Sequence, residues 1–515
     1  MFERQTRREF LKTIGIASFS TAAGAGCSGI KRTPSEQSMP SKPNIILIMA
    51  DDLGYAGLEC YGQTLIQTPR IDQMAREGIR FTDFYAANTV CVPSRCGLIT
   101  GQHPGHAAIR DNYPPHVDIN LENGGGYMRG HPEWAWPPTV TTLGRVLKDA
   151  GYRTAQFGKL EAGIPMVEGK MTEHGWDTWM GFRGTGAAFQ YYPVELWKND
   201  EKMTFEANKP DDVRRPGIVG DKGVYSADLF MEEISKFIRE NQQQPFFLYF
   251  PSQVPHGRSP RDGDEIQVPD IGPYGDRPWT HLEKLYAAMI TRFDDHVGRI
   301  IDLLKELDID ENTVIFFTSD NGDENSYYKY TDRFHAAGPL RGKKRYLYEG
   351  GIRVPMIVRW PRHIKARQTS DLPWAAWDLM ATFADLAGVQ APTHTDGISV
   401  VPTLLGRPKD QTRREYLYWE SQLAKQQAVR MGPWKGYSYG GTKEPIELYD
   451  LRNDIGEDNN VAAAHPDVVK RIRDIMTEAR EGSEFTRYWP LPEHRRDDIK
   501  LDNRFYQRLD MREGY

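Results

Sequence analysis

Four short apolar runs, continuous rather than alternating, constrain this chain most. They are residues 44–50 (Asn-Ile-Ile-Leu-Ile-Met-Ala), 244–250 (Gln-Pro-Phe-Phe-Leu-Tyr-Phe), 313–318 (Thr-Val-Ile-Phe-Phe-Thr) and 355–360 (Pro-Met-Ile-Val-Arg-Trp). Each is short for a helix, rich in β-branched or aromatic residues, and lacks the polar alternation of a half-solvated strand. This is the signature of strands buried on both faces of a parallel sheet. Helical patterns lie between them. Thr68-Pro69 reads as a cap with a first-turn proline, Ile71, Met74 and Ala75 share a face, and Gly78 is a stop. Leu285, Met289, Phe293, Val297, Ile301 and Leu304 form a long stripe at helical spacing. Strands alternating with helices predict an α/β sandwich, its large sheet mostly parallel and covered by helices. After residue 406 the texture changes to short aromatic strands at 415–420, 427–438 and 446–451, then to a helix opening at Pro466. That predicts a small antiparallel sheet with one packed helix. The expected divisions are a core over 42–406, a C-terminal α+β piece over 407–482 and a tail over 483–515.

Charge and cysteine content narrow the function. With 65 Lys+Arg against 71 Asp+Glu the net charge is −6, which excludes a general nucleic-acid binder. No uninterrupted apolar stretch approaches the roughly 18–20 residues a bilayer span needs. Four cysteines, Cys27, Cys60, Cys91 and Cys96, are too few for a disulfide scaffold in 515 residues. The first 41 residues read as an export signal and linker: Arg7-Arg8 precedes Phe10-Leu11-Lys12, and small residues lead to Cys27. This resembles a bacterial twin-arginine signal, implying passage through that export machinery to the periplasm or outer surface. Gly24-Ala25-Gly26-Cys27 resembles a lipoprotein processing site without the usual large aliphatic residue, so lipidation at Cys27 stays open.

In an open α/β sheet, ligands gather at the carboxyl ends of strands. The first run ends in Asp51-Asp52, the third in Ser319-Asp320-Asn321-Gly322, the second in a segment reaching His256, and a shorter run at 153–157 in Gly158-Lys159. Helix capping explains one such acidic pair. Two on apolar strands deliver three carboxylates and an amide oxygen to one edge, where only a hard cation relieves their repulsion. Oxygen donors favour Ca²⁺ or Mg²⁺ over Zn²⁺.

The most specific motif is Cys91-Val92-Pro93-Ser94-Arg95-Cys96-Gly97-Leu98-Ile99-Thr100-Gly101, which matches C-x-P-S-R-x-x-L-x-T-G. On it, and on the order of the strand-end motifs, the chain resembles the type I sulfatases of the alkaline phosphatase superfamily over roughly residues 42–478. The resemblance implies an alkaline phosphatase-like sandwich and a sulfuric ester hydrolase. It implies that a maturation enzyme converts Cys91 to formylglycine, whose hydrated aldehyde is the nucleophile. It makes Asp51, Asp52, Asp320 and Asn321, with the modified Cys91, the ligands of Ca²⁺. It assigns Arg95 to orienting the formylglycine, Lys159 and Lys344 to sulfate binding, and His256 to the active site. Lys343 is the adjacent alternative to Lys344 in the segment before Glu349-Gly350-Gly351.

One departure stands out. The family's Gly-Lys-Trp-His is Gly158-Lys159-Leu160-Glu161 here. Glu161 replaces a histidine that helps regenerate the aldehyde, and is either a substitute base or a carboxylate paired elsewhere. His103 and His106 are further candidates for that role. Sulfated carbohydrate is the expected substrate class; Trp134, Trp136, Tyr191, Tyr192 and Trp197 are either a stacking surface for sugar rings or core, and 112–138 reads as an insertion beside the pocket. Two rival readings are a phosphoester or phosphonate hydrolase of the same superfamily and a non-catalytic binder of sulfated glycans.

Overall fold

The computed structural model describes residues 42–110, 112, 140–159, 171–182, 187–199, 201–208, 217–218, 223–257, 266–324, 329–421, 425–440 and 445–481. Cys27 and the rest of the expected signal, most of the 112–138 insertion with Trp134 and Trp136, Glu161, and the 483–515 tail lie outside the described residues.

The core is a ten-stranded mixed sheet. In chain order its strands are Asn44–Ala50 (β1), Ile79–Phe81 (β2), Arg153–Gly158 (β4), Thr178–Gly181 (β5), Glu195–Lys198 (β6), Glu201–Thr204 (β7), Phe246–Pro251 (β9), Thr313–Ser319 (β11), Met356–Arg359 (β12) and Gln368–Ser370 (β13). Phe84–Tyr85 (β3) pairs with Trp374–Ala375 (β14), and Gly217–Ile218 (β8) with Gln267–Val268 (β10), in two small side sheets. The spatial order of the large sheet is β13-β2-β12-β11-β1-β9-β4-β5-β6-β7. Its centre, β11-β1-β9-β4-β5, is parallel throughout.

Both faces of β1 are sealed. Ile45, Leu47 and Met49 join one hydrophobic cluster, with residues of the helices Cys91–Thr100, Leu143–Asp149 and Asp378–Leu386. Ile46, Ile48 and Ala50 join the other, with the helices Pro69–Glu77, Ser226–Asn241 and His281–Glu306. Each fully buried aliphatic side chain contributes about 1.5–3 kcal/mol, so this strand anchors both layers. The run at 355–360 is buried as expected, but β12 lies antiparallel to β11. Burial on both faces comes from the covering layers and does not specify strand direction.

Two local readings are corrected. Thr68 stands at the N-cap position without capping; its hydroxyl accepts from the Glu59 amide at 3.0 Å. The open amides of Arg70 and Ile71 donate instead to Asp294, at 3.0 and 2.7 Å, from the long helix His281–Glu306. A cap supplied from another element leaves no local sequence signal. Second, 427–438 is a hairpin of Gln426–Met431 (β16) and Trp434–Tyr439 (β17), not one strand. Gly432 takes a left-handed φ of 56°, and Pro433 has no amide to donate, so the chain reverses there.

These strands, with Leu417–Ser421 (β15) and Glu447–Asp450 (β18), form the C-terminal antiparallel sheet. The helix Pro466–Glu478 packs on it through Ile472, Ile475 and Met476. Other side chains of this sheet, among them Leu417, Trp419 and Tyr437, enter the main core cluster. A buried ionic joint also binds it. Lys435 Nζ lies 2.8 Å from Glu349 and 3.5 Å from Glu457, and Arg430 lies 2.9 Å from Asp83. Burial opposes ionisation of Glu349, but Lys435, Arg353 and Arg430 outweigh it and hold the carboxyl at about 2. Burial, only partly offset by Lys435, lifts Glu457 to about 7.

Replacing Lys435 by Met leaves two buried carboxylates facing each other without their shared cation. Denaturant unfolding of Lys435→Met is expected to show a loss of about 3–5 kcal/mol; a change below 1 kcal/mol, in order of magnitude that of a surface pair, would contradict the joint.

Candidate active site

Strands β1 and β11 are parallel and paired, with Ala50 opposite Ser319. The residues that follow, Asp51-Asp52 and Asp320-Asn321, therefore leave the sheet side by side. Asp52 takes a left-handed φ of 66°, held by its amide donating to Asp320 Oδ1 at 3.1 Å, while the Leu53 amide donates to Ser319 Oγ at 2.9 Å. On the other side of β1, β9 leads into the loop carrying His256, and β4 ends at Gly158 before Lys159. The signature folds as a helix, Cys91–Thr100, opening on Cys91. Four residues separate Cys91 from Arg95, so both occupy one helical face. The segment carrying Lys344 is strapped across this end of the sheet: its amide donates to Asp323 O at 3.0 Å and that of Arg345 to Thr89 O at 3.0 Å. Gly322 makes this approach possible, since a Cβ there would lie 1.9 Å from the Gly350 carbonyl oxygen.

The side chains interlock. Cys91 Sγ donates to Asp51 Oδ1 at 3.3 Å. Arg95 grips Asp320 through Nε at 3.0 Å and a terminal nitrogen at 2.9 Å. Lys159 Nζ donates to Asp51 Oδ2 at 2.5 Å, and Lys344 Nζ to Asp52 Oδ2 at 2.7 Å. The amide nitrogen of Asn321 donates to Asp52 Oδ1 at 2.7 Å. His256 Nε2 stands 3.2 Å from Lys344 Nζ and 3.3 Å from Asp52 Oδ2, and its Nδ1 lies 2.5 Å from the Gly257 carbonyl. A carbonyl only accepts, so Nδ1 carries the proton and Nε2 presents a lone pair. All nine of these side chains are buried.

The electrostatics follow. Burial opposes the charge on Asp51, but Lys159, His256 and Arg95 outweigh it and hold its carboxyl at about 2. Burial and the neighbouring Asp51 push Asp320 up despite Arg95. His256 is driven down to about 3 by burial and by Lys344. Burial and the adjoining Asp51 push the Cys91 thiol far up, so this pocket does not activate a thiolate.

The oxygen donors here, on Asp51, Asp52, Asp320 and Asn321, are those a hard cation takes. Asp51 and Asp52 also fall, with Cys91 and His256, in a group whose ligand atoms lie within 4.8 Å of one another. Among the described residues Asn321 Oδ1 is buried with no hydrogen-bond partner, an acceptor that a hard cation would satisfy.

Of the residues expected from sequence, Asp51, Asp52, Cys91, Arg95, Lys159, His256, Asp320, Asn321 and Lys344 meet here, and Lys344, not Lys343, is the buried lysine. His103 and His106 take polar contacts elsewhere: His106 Nδ1 lies 2.9 Å from Asp396 Oδ1, and the His103 amide donates to Asp396 Oδ2 at 3.0 Å. Tyr191 and Tyr192 are core. Three site residues were missed. Ser94 Oγ donates to the Asp320 carbonyl at 2.5 Å and was visible in the signature; Glu324, 3.8 Å from Lys344, follows Asn321 too closely to stand out. Phe189, stacked on His256, had no sequence signal.

Fold and site together define an alkaline phosphatase-like α/β architecture in which buried cations ring the acids at the strand ends. The sulfatase family model matches residues 43–389, and the model for the N-sulphoglucosamine sulphohydrolase C-terminal region matches 342–482. Human arylsulfatase A is 30% identical, covering 84% of this chain and 87% of its own. N-acetylgalactosamine-6-O-sulfatase of Bacteroides thetaiotaomicron is 28% identical, covering 84% and 92%. The crystal structure of Ps i-CgsB superposes with a TM-score of 0.71 at 27% identity, covering 90% of this chain and 98% of its own. The chain belongs to the sulfatase family and is a sulfuric ester hydrolase.

Arg95 is the cation paired with Asp320 beside Asp51. Arg95→Leu, unfolded in metal-free buffer, is expected to lose about 3–5 kcal/mol, because it strands two adjacent buried carboxylates. Unchanged stability would show that Asp320 needs no counter-ion.

Proposed function

We propose that this enzyme removes sulfate from sulfated carbohydrates, using formylglycine made from Cys91 and a Ca²⁺ ion held by Asp51, Asp52, Asp320, Asn321 and the modified Cys91. The observation that carries the reading is the position of Cys91. Its side chain opens the signature helix 3.3 Å from Asp51, in a ring with Arg95, Lys159 and Lys344, where burial and Asp51 push a thiol up. Oxidation to formylglycine would supply a hydrated aldehyde as nucleophile, and Ca²⁺ would supply a Lewis acid beside it.

The chain's own residues account for the remaining needs. Lys159 and Lys344 hold the sulfuryl oxygens, their charges secured by Asp51 and Asp52 despite burial. Arg95 stays on Asp320 and orients the first turn of the helix. His256 and Lys344 share a hydrogen bond at the open side of Asp52 and deliver the proton that the departing alcohol requires. The backbone of the Lys344 segment, tied to Asp323 and Thr89, fixes that lysine at the end of the sheet. Glu161 remains the candidate base for regenerating the aldehyde.

The carbohydrate reading is supported by the names of the relatives: one acts on a 6-O-sulfated amino sugar, and Ps i-CgsB is also known in complex with k-i-k-neocarrahexaose. Residues 1–41, read as a twin-arginine signal, support export to the periplasm or outer surface, with Cys27 as a possible lipid anchor. A maturation enzyme that oxidises Cys91 is the required partner.

Two measurements test this. Purified enzyme is expected to hydrolyse 4-nitrophenyl sulfate far faster than 4-nitrophenyl phosphate, and Cys91→Ala to lose about a thousandfold or more. Preference for the phosphate would favour the phosphoesterase alternative, and an active Cys91→Ala would remove the nucleophile. Dialysis against a chelator is expected to lower both rate and melting temperature. Restoring Ca²⁺ to about 100 Kd should return about 2.7 kcal/mol of stability; no response to Ca²⁺ would refute the metal assignment.

A further inference from the structure

Polar contacts meet both nitrogens of the His256 ring: Nδ1–H donates to the Gly257 carbonyl at 2.5 Å, and Nε2 lies 3.2 Å from Lys344 Nζ and 3.3 Å from Asp52 Oδ2. These are made at the two ring nitrogens, which flank Cε1, and they leave the faces of the imidazole to other neighbours. Phe189 covers one face. Its ring lies flat on His256, with centroids 4.2 Å apart and an interplanar angle of 19°. The Lys159 ammonium stands 5.1 Å from the centroid of the same ring. One phenyl group thus touches two cationic or titratable members of the site.

Its surroundings argue against simple core packing. Phe189 is half-buried and lies outside both large hydrophobic clusters, whereas Ala188, Tyr191 and Tyr192 beside it belong to one. Those neighbours make a rigid mount. Tyr191 stacks on Tyr225, and its hydroxyl lies 2.6 Å from the His256 carbonyl and 2.9 Å from the Gln253 carbonyl. The segment over 187–192 therefore holds His256 twice, by its backbone through Tyr191 and by its ring through Phe189.

We infer that Phe189 is a positioning residue for proton delivery: it holds the His256 ring so that the hydrogen bond shared by Lys344 Nζ and His256 Nε2 points at the oxygen leaving sulfur. This rests on the sulfatase reading. When the S–O bond breaks, its electron pair goes to the leaving oxygen, which takes a proton from Lys344 Nζ; the lysine is left as a neutral amine beside His256 Nε2. An oxygen that leaves as a stable phenolate needs the proton little; a more basic one needs it in the transition state. Loss of the ring therefore penalises poor leaving groups selectively, whereas general loosening of the site penalises all esters alike.

The test compares kcat and KM for 4-nitrophenyl sulfate and phenyl sulfate in the matured wild-type enzyme, Phe189→Leu and Phe189→Tyr. Phe189→Leu is expected to lose about tenfold more kcat on phenyl sulfate than on 4-nitrophenyl sulfate, with KM for both within about twofold of wild type. Phe189→Tyr, which keeps the ring, should restore the wild-type ratio. If thermal melting shows that the Leu variant does not fold, Phe189→Met, which keeps length without a ring, takes its place with the same expectation. Equal losses on both esters, or no loss, would overturn the proposal while leaving the sulfatase reading intact. A matured wild-type enzyme inert to both esters would overturn both.

Discussion

The architecture of this site depends on one parallel pairing. Because β1 and β11 run side by side in register, each ends in an acidic residue at the same level, and Asp51 and Asp320 are forced into a shared buried space. Like charges so placed cannot both ionise without help. Arg95 answers from the signature helix, Lys159 from β4 and Lys344 from the segment after β11. A protein of net charge −6 thus carries a centre whose cations are held in place by the acids they neutralise. That mutual dependence suits the ring to an anionic ester, because Asp51 and Asp52 already secure the charge of the two lysines.

The C-terminal sheet belongs to this arrangement. Glu349 opens the short helix Glu349–Ile352, five residues beyond Lys344, and is clamped by Lys435 and Arg353, with its second oxygen accepting from the Tyr85 hydroxyl at 2.8 Å. Lys435 comes from β17 of the appended sheet. The placement of Lys344 is therefore tied to a second layer of buried charges. Such networks add little net stability compared with apolar packing, but they penalise any other docking of the sheet.

Much of this was legible in the sequence, for identifiable reasons. A doubly buried strand leaves an unbroken apolar run, so β1 and β11 and the acids ending them could be read directly, and Cys91 and Arg95 lie in one contiguous motif. The direction of β12 could not be read, because burial does not encode direction. The capping of Pro69–Glu77 by Asp294 was hidden because the cap is remote in sequence. The hairpin at Gly432-Pro433 was visible as a turn signal but was overridden by the apolar residues around it. Phe189 was invisible in principle: an aromatic residue reads as core until its ring is seen against His256.

The central claim is that this ring of charges surrounds an aldehyde rather than a thiol. Mass spectrometry of the peptide containing Cys91, from protein made in its native host, tests it most directly. The account predicts that residue 91 carries the mass of formylglycine and reacts with a hydrazide probe. Finding only the unmodified cysteine thiol in active enzyme would contradict it.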